Sequence, residues 1–294
     1  MKKSEKAKIE TFFFEKNQEN MDLPTLIAFD FDHTIVDDNT DFVVRNLLSE
    51  DQLTDEVQNL YLTNGWTLYM KKIFELLHQN SIGLKEIEAA ITNISPTPGF
   101  DILLKELHSL GYEIIIISDS NSLLIDIWLK SRQLDNLITK VFTNPAHVSD
   151  DGMIQIKMYH VQDFCKLSMI NLCKGHILGN YIKERSEAGI HFKRIVYVGD
   201  GKNDFCPILR LSENDLAFPR MDYPLLKKLN ECKNNETCKV KATIIPWSNG
   251  FEILHNLNKA KHGPYDPARY YGKRMYHFCI TSNIFFICIQ FFFI

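Results

Sequence analysis

The chain has 294 residues, of which 45% are hydrophobic and 24% are charged, as is typical of a folded protein with one large domain and a smaller one. Its formal net charge is −4, which argues against nucleic acid as a partner. The seven cysteines are an odd number without a dense framework, and no secretory signal precedes them. This pattern favours free thiols in a cytoplasmic protein.

The N-terminal segment is charged and polar around three consecutive phenylalanines, Phe12–Phe14. It lacks the continuous apolar stretch of a signal peptide. We expect residues 1–23 to be a flexible N-terminal extension.

Four short apolar runs predict buried parallel strands, because each is rich in β-forming residues and is followed by turn-forming or polar residues. These runs are Leu26–Phe29, Ile114–Ile117, Val141–Thr143 and Ile195–Val198. Amphipathic helices are predicted at Phe100–Gly111 and Ser122–Ser131. The alternation predicts an α/β fold, a Rossmann-like doubly wound parallel sheet.

Residues 42–95, between the first two predicted strands, show helical periodicity almost throughout. We interpret them as a small helical cap inserted after the first strand, with residues 24–41 and 96–260 as the core. Two prolines in Ser95–Gly99 stiffen the return of the chain to the core. The position of the insert is that of a lid over the edge of the sheet.

The C-terminal residues 261–294 form an atypical apolar tail, in which Phe278–Ile294 is uncharged. This stretch is at the short limit for a membrane span and contains Thr281, Ser282, Asn283 and Gln290. We therefore favour a disordered tail or an artefact of gene prediction over a membrane anchor.

Asp30 and Asp32 follow the first predicted strand directly, in the string Asp30–Thr34. A period-2 strand would place both carboxylates on one side, where they repel unless a cation or a shared proton relieves them. The pair therefore indicates a divalent metal or an anionic reaction centre.

Three further motifs follow later strands or precede a helix. Ser118–Asn121 follows the second predicted strand, and Gly199–Asp204 follows the fourth. Lys174 stands just ahead of a helical pattern. Open α/β sheets bind ligands at the carboxyl ends of their strands, so these motifs are expected to meet at one edge. Taken alone, Ser118 is a candidate helix N-cap and Lys174 a candidate surface lysine.

Together the four motifs supply what phosphoryl transfer to a carboxylate requires. Asp30 is the candidate nucleophile and Asp32 the candidate acid and base. Ser118 and Lys174 are candidate phosphate ligands. Mg²⁺ is the expected cofactor, because it prefers hard oxygen ligands. Its candidate ligands are Asp30, Asp32 through the main-chain carbonyl, Asp200, and Asp204 through a coordinated water.

The strings DFDHT, SDSN and GDGKND, with the intervening lysine, resemble the haloacid dehalogenase superfamily of aspartate-nucleophile phosphatases. The resemblance extends from about Leu26 to Leu257, with a cap placed as in subclass I. The longer strings FDFDHTIVDDNTD, FTNP, NLCK and VYVGDGKNDFCP resemble the phosphoethanolamine/phosphocholine phosphatase family. Relatives in that family include a pyridoxal phosphate phosphatase and plant enzymes acting on pyrophosphate or thiamine monophosphate.

This resemblance implies that the partner is a small phosphomonoester and that Asp41 and Asp119 recognise an amino or choline group. Alternatively, Asp41 caps a turn and Asp119 caps a helix. Trp66 is either a cation–π partner or a core residue. Where relatives carry a further Cys and a Pro, this chain has Ser168 and Met169. Cys165 and Cys173 are accordingly expected to be plain buried thiols.

Phosphoethanolamine or phosphocholine is the leading substrate prediction, and pyridoxal phosphate is the next. Two other classes stay open. A phosphotransferase or phosphomutase would use the same aspartate with a second hydroxyl as acceptor. A non-catalytic binding protein would not need all four motifs, and a Lys174 buried away from Asp30 would favour it. The oligomeric state is not predicted.

Overall fold

The computed structural model describes residues 24–232 and 239–262. The predicted N-terminal extension and the apolar stretch Phe278–Ile294 lie outside these residues. None of the helices in the described part of the chain has the length and apolar character needed to cross a membrane.

The fold is organised around a parallel sheet. The strands are β1 (Thr25–Phe29), β2 (Glu113–Asn121), β3 (Lys140–Asn144), β4 (Ala146–Val148), β5 (Ile154–Ile156), β6 (Arg194–Gly199), β7 (Leu216–Pro219) and β8 (Thr243–Ile244). Six of them form one sheet in the order β3-β2-β1-β6-β7-β8. All pairings in this sheet are parallel, whereas β4 and β5 form a separate antiparallel pair.

Helices connect the strands and flank the sheet. They are α1 (Thr40–Arg45), α2 (Asp55–Asn64), α3 (Trp66–Gln79), α4 (Leu84–Thr92), α5 (Phe100–Ser109), α6 (Ser122–Ser131), α7 (Lys174–Glu187), α8 (Phe205–Leu209), α9 (Pro224–Cys232) and α10 (Gly250–His262). Short 3₁₀ turns lie at Glu50–Gln52, Asp135–Leu137 and Lys202–Asp204. The predicted α/β fold with a Rossmann-like parallel sheet is confirmed.

The central strand β1 is buried on both faces. Leu26 and Ala28 belong to a cluster with side chains of α7, α8 and α9. Phe29 lies next to Phe100 of α5 in an edge-to-face contact, with ring centroids 5.9 Å apart. The continuous apolar run of β1 therefore fits a strand covered by helices on both sides, and each large buried side chain contributes about 1.5–3 kcal/mol.

The helical segment from α1 to α4 leaves and rejoins the sheet through a short stem. Val36 and Pro96 form an antiparallel bridge, and the Thr97 amide donates to the Ile35 carbonyl at 3.0 Å. Helix α1 begins at Thr40, two residues before the predicted start of the cap at residue 42. Helix α3 packs against β5. The domain boundaries themselves stay a prediction.

The chain divides into two compact units at the last helix. The unit that ends at Leu254 contains all eight strands and nine of the ten helices of the described residues. In the other unit, the described residues are the last turns of α10.

Candidate active site

The strand order brings the predicted motifs together. Strand β1 is paired with β2 on one side and β6 on the other, so the carboxyl ends of these three strands are neighbours. Asp30 follows β1, and its amide donates to the Val198 carbonyl of β6 at 2.9 Å. Asp200 follows β6, and Ser118 and Asp119 lie near the end of β2. The sheet edge therefore gathers side chains that are far apart in sequence.

At the centre of this edge, a buried lysine joins two carboxylates. Lys174 is fully buried, and its Nζ lies 2.6 Å from Asp30 Oδ2 and 2.8 Å from Asp204 Oδ1. Oxygen atoms of Asp30, Asp200 and Asp204 lie within 4.8 Å of one another. We call these four residues the carboxylate cluster. This arrangement brings together Asp30, Lys174 and the motif Gly199–Asp204, as the sequence predicts, and a Lys174 directed away from Asp30 is excluded.

Asp204 is fixed on all sides. Besides Lys174, its Oδ1 accepts a hydrogen bond from the Tyr197 hydroxyl at 2.7 Å. Its Oδ2 accepts from the amides of Asp200 and Gly201 at 3.0 and 2.9 Å. A Cβ on Gly199 would lie 2.5 Å from the Asp204 carboxylate, so only glycine permits this close approach.

Charge in the carboxylate cluster is unbalanced. Burial and the carboxylate of Asp204 raise the pKa of Asp30 well above its usual range, although Lys174 opposes this. The same two causes raise the pKa of Asp200 to about 7. Burial alone would lower the pKa of Lys174, but Asp204 and Asp30 raise it above its usual value, so this side chain is an ammonium.

The cluster is chemically suited to a divalent cation. Three carboxylates are held against one buried ammonium, and burial makes the excess negative charge costly. Carboxylate oxygens are also the ligands that Mg²⁺ prefers. The donor set thus fits the predicted metal.

Asp32 lies in a separate hydrogen-bonded chain. Its carboxylate accepts from the Thr40 amide at 2.9 Å and from the Thr40 hydroxyl at 3.2 Å. The Thr40 hydroxyl is in turn 2.7 Å from the Ser120 hydroxyl. Burial and the nearby carboxylate of Asp41 raise the pKa of Asp32 to about 7. Such a group can hold and release a proton near neutral pH.

The sequence predicts mutual repulsion between Asp30 and Asp32 as strand neighbours. Strand β1 ends at Phe29, and both aspartates lie in the loop beyond it. After burial, the largest cause of the raised pKa is Asp204 for Asp30 and Asp41 for Asp32. A different carboxylate is thus the main partner of each aspartate, although Lys174 lowers the pKa of both.

Ser118 is buried within β2, and its hydroxyl accepts from the Ser120 amide at 3.2 Å. The alternative that Ser118 or Asp119 caps a helix is wrong. The N-cap of α6 is Asn121, whose side chain accepts from the Leu124 amide at 3.1 Å.

Asp41 is buried in the first turn of α1, where the N-cap is Asn39. Its Oδ2 accepts from Trp66 Nε1 at 2.6 Å. Its Oδ1 is buried and has no hydrogen-bond partner among the described residues. The turn-capping alternative for Asp41 is therefore wrong.

Trp66 begins α3 and is partly exposed rather than a fully buried core residue. Its ring contacts the rings of Phe42 and Tyr69, with centroid distances of 5.3 and 5.1 Å. Burial raises the pKa of Asp41 to about 7 against the hydrogen bond from Trp66, and the carboxylate of Asp119 adds to this rise.

Asp119 interacts electrostatically with the carboxylate cluster and with Asp41. Its carboxylate accepts from Asn203 Nδ2 at 2.5 Å. Burial raises the pKa of Asp119, while Lys174 lowers it and Asp204 raises it. We call Asp41, Asp119 and Trp66 the Asp41 group, which borders the carboxylate cluster through Asp119.

Several residues that complete the site were not predicted. Four of them form side-chain hydrogen bonds: Thr40 with Asp32, Ser120 with Thr40, Asn203 with Asp119, and Tyr197 with Asp204. The fifth is Arg220, which forms an ion pair with Asp37 and donates to the His33 carbonyl. Thr40, Ser120, Tyr197 and Asn203 all stand inside the strings FDFDHTIVDDNTD, SDSN and VYVGDGKNDFCP, so their positions were a usable signal, although no role was predicted for them. Arg220 lies directly after β7, and the sequence pattern predicts no role for it.

A parallel sheet with a carboxylate cluster at its carboxyl edge defines the class of haloacid dehalogenase-like hydrolases. A sequence profile of the Putative Phosphatase family matches residues 25–260. The chain belongs to this family within the haloacid dehalogenase superfamily, and it is a phosphoric monoester hydrolase. The resemblance inferred from the motifs is confirmed.

Two relatives illustrate the match. The chain is 36% identical over 237 residues to the pyridoxal phosphate phosphatase PHOSPHO2 of Mus musculus, covering 80% of this chain and 98% of that protein. It is 30% identical over 236 residues to the phosphoethanolamine/phosphocholine phosphatase of Homo sapiens, covering 80% and 88%.

Solved structures support the fold. A phosphoserine phosphatase with a phospho-aspartyl intermediate analogue aligns with a TM-score of 0.52 and 22% identity, covering 80% of this chain and 99% of that chain.

Proposed function

We propose that this phosphatase hydrolyses small phosphomonoesters with Mg²⁺ through an aspartyl-phosphate on Asp30. The observation that carries the proposal is the contact of 2.6 Å between Asp30 Oδ2 and the Lys174 ammonium, inside the buried carboxylate cluster. A buried carboxylate next to a fixed cation is suited to receive a dianionic phosphoryl group. A non-catalytic binding protein would not need this arrangement.

In the first step, an oxygen of Asp30 attacks phosphorus, and the bond between phosphorus and the ester oxygen breaks. Asp32 gives its proton to the departing oxygen, and its raised pKa of about 7 supports this role. In the second step, Asp32 takes a proton from water as the water oxygen attacks phosphorus. Inorganic phosphate leaves and Asp30 is regenerated.

The other residues bind and orient. Lys174 holds one oxygen of Asp30 and offers its charge to the phosphoryl oxygens, and Ser118 is a candidate donor to the same oxygens. Asp204 holds Lys174 in place and accepts from two amides of the Asp200 loop.

Mg²⁺ would be held by Asp30, Asp200 and the main-chain carbonyl of Asp32. A coordinated water could reach Asp204 only by replacing one of the four contacts that its oxygens already accept. When bound, Mg²⁺ supplies positive charge against the phosphoryl oxygens and offsets the surplus of carboxylates.

For the substrate, we infer a phosphate ester with a cationic group, phosphoethanolamine or phosphocholine. The unpartnered Oδ1 of Asp41, in a group with Asp119 and the partly exposed Trp66 ring, supports this choice. Two carboxylates attract an ammonium, and an indole face adds cation–π attraction. We assign Trp66 to a cap formed by residues 42–95.

Pyridoxal phosphate is the second candidate. It is supported by the mouse, rat and cow relatives, which are named pyridoxal phosphate phosphatases and are 35–36% identical to this chain. Their identity exceeds the 30% shared with the human phosphoethanolamine/phosphocholine phosphatase.

A panel assay tests the proposal. Phosphate release is measured from phosphoethanolamine, phosphocholine, pyridoxal phosphate, thiamine monophosphate and pyrophosphate, with Mg²⁺ and after chelation. We expect Mg²⁺-dependent release with the highest kcat/KM for phosphoethanolamine or phosphocholine. Preference for pyridoxal phosphate would overturn the substrate assignment, and release only with an added hydroxyl acceptor would indicate a phosphotransferase instead.

A further inference from the structure

Three cysteine side chains converge beside the carboxylate cluster. Cys206 Sγ lies 3.5 Å from Cys165 Sγ and 3.7 Å from Cys173 Sγ. All three sulfur atoms lie within 4.8 Å of one another. Cys173 and Cys206 are buried, and Cys165 is partly exposed. The sequence predicts plain buried thiols, whereas the structure brings three of them to one point.

The backbone around this point is built to permit close approach. Cys173 is the N-cap residue of α7, and Cys206 lies in α8. Between them is Gly175, where a Cβ would lie 2.6 Å from Cys206 Sγ. Only glycine at this position therefore leaves room for the Cys206 sulfur against α7.

The loop that carries Cys165 is also fixed. Gln162 is buried, and its Oε1 accepts from the Cys165 amide at 2.8 Å. Its Nε2 donates to the carbonyls of Cys165, Ser168 and Met169 at 3.2, 3.3 and 2.6 Å. This single side chain closes the loop, so Cys165 is held in a defined position.

The spacing of the sulfur atoms matches metal ligation. At a Zn–S distance of about 2.3 Å, tetrahedral ligands lie about 3.8 Å apart, close to the two separations given above. The N-terminus of a helix favours thiolates, and Cys173 occupies the N-cap position of α7. The Ser168 hydroxyl, 3.6 Å from Cys165 Sγ, or a water is available as a fourth ligand.

We propose that Cys165, Cys173 and Cys206 form a binding site for a thiophilic d¹⁰ metal ion such as Zn²⁺, separate from the carboxylate cluster. Soft sulfur ligands and hard carboxylate oxygens select different ions, so both sites can be filled together. Binding replaces three S–H bonds with three sulfur–metal bonds and releases three protons, without a redox change.

Occupation of this thiolate site would tie α7 to α8. Lys174 follows Cys173 directly, and Cys206 is two residues beyond Asp204. The ion would therefore link the segments that carry the two charged partners of the carboxylate cluster. A disulfide is the competing interpretation, but it uses two of the three sulfur atoms and requires an oxidant.

The test uses the reduced, full-length protein with Mg²⁺ held constant. Cd²⁺ is titrated as the probe, and ultraviolet absorption is recorded for the thiolate-to-cadmium charge-transfer band, which carboxylate ligands do not produce. We expect saturation at one thiolate-bound ion per chain and reversal by Zn²⁺. The Cys165→Ala protein should bind at least about tenfold more weakly.

Cys232→Ala is the matched control, because Cys232 is also buried but lies in α9. It should keep the full charge-transfer band. Circular dichroism establishes that both variants are folded, and Cys206→Ala provides a second loss of one ligand. The proposal is overturned if the band is absent, or if Cys165→Ala and Cys206→Ala both bind Cd²⁺ as tightly as the unsubstituted protein.

Discussion

The carboxylate cluster and the Asp41 group differ in how fully the protein satisfies them. In the cluster, both oxygens of Asp204 accept two hydrogen bonds or ionic contacts each. In the Asp41 group, one buried carboxylate oxygen has no partner among the described residues. The side chains of the carboxylate cluster hold one another in place, and the cluster lacks only positive charge to balance its carboxylates. In the Asp41 group, by contrast, the unpartnered Asp41 oxygen can accept a hydrogen bond from a ligand.

We relate this difference to two roles: the carboxylate cluster carries out the reaction, and the Asp41 group selects the substrate. A rigid cluster whose polar groups already have hydrogen-bond partners holds the reacting groups in place, so little reorganisation is needed during the reaction. An unsatisfied buried oxygen costs about 1–3 kcal/mol unless a ligand supplies the hydrogen bond. Substitutions in the cluster should therefore affect every substrate alike, while those in the Asp41 group should affect some substrates more than others.

The largest effect is expected for Asp30→Asn, which preserves shape and removes the nucleophile. We expect kcat to fall at least about a thousandfold for all substrates, with the fold retained. Phosphate release and circular dichroism measure the two outcomes. Substantial activity in this variant would remove Asp30 from the nucleophile role.

Lys174→Met comes next, because it leaves Asp30 and Asp204 buried without their cation. Breaking a buried ion pair in this way costs about 3–5 kcal/mol of unfolding free energy. Denaturant unfolding measures this cost, and activity should be lost for every substrate. The control is the exposed Lys202→Met, which should change stability by less than about 0.5 kcal/mol. Equal stability of the two variants would contradict the account of the cluster.

The pH dependence of stability separates the two regions further. The folded-state pKa of Asp41 is raised to about 7 by burial, against an ordinary value of 3.8. Its protonated form therefore stabilises the fold fully below about pH 4, and this contribution is lost as pH rises through about 7. Asp41→Asn has no titratable carboxyl at this position, so its stability does not show this loss as pH rises.

We thus expect the stability of Asp41→Asn relative to the wild type to rise between about pH 4 and pH 8, by up to about 4 kcal/mol. The measurement is denaturant unfolding of both proteins at several pH values without substrate. A flat difference for Asp41→Asn would argue against a buried carboxyl with a raised pKa.

The smallest effect concerns substrate choice. Asp41→Asn removes a charge-assisted contact of about 1.5–3 kcal/mol, so kcat/KM for a cationic ester should fall about 10- to 100-fold. Hydrolysis of phenyl phosphate, which has no cationic group, should change little. An equal loss for both substrates would assign Asp41 to the catalytic machinery instead.

Much of the fold and the centre of the site follow from sequence pattern. Strands β1, β2, β3 and β6 are five to nine residues long and each contains a run of apolar residues, and most of the chemistry-bearing residues lie at or just beyond the ends of β1, β2 and β6. Strand order then decides that the ends of β1, β2 and β6, which carry Asp30, Ser118 and Asp200, are neighbours. Strands β7 and β8, with four and two residues, are too short to produce a pattern of their own.

The supporting residues could not be predicted in the same way. Thr40 and Ser120 are 80 positions apart, and Asn203 and Asp119 are 84 apart, so their contacts depend on the folded backbone. The convergence of Cys165, Cys173 and Cys206 depends equally on tertiary structure. The unpartnered Asp41 oxygen is a property of the packed structure and has no counterpart in sequence pattern.

The central claim is that Asp30 becomes phosphorylated, and trapping the intermediate tests it most directly. The protein is mixed with phosphate-labelled substrate and Mg²⁺, quenched in acid within one turnover, digested and mapped by mass spectrometry. The account predicts a hydroxylamine-sensitive phosphate on the peptide that contains Asp30, and none in Asp30→Asn. Phosphate on another residue, or turnover with no covalent intermediate at any time, would contradict it.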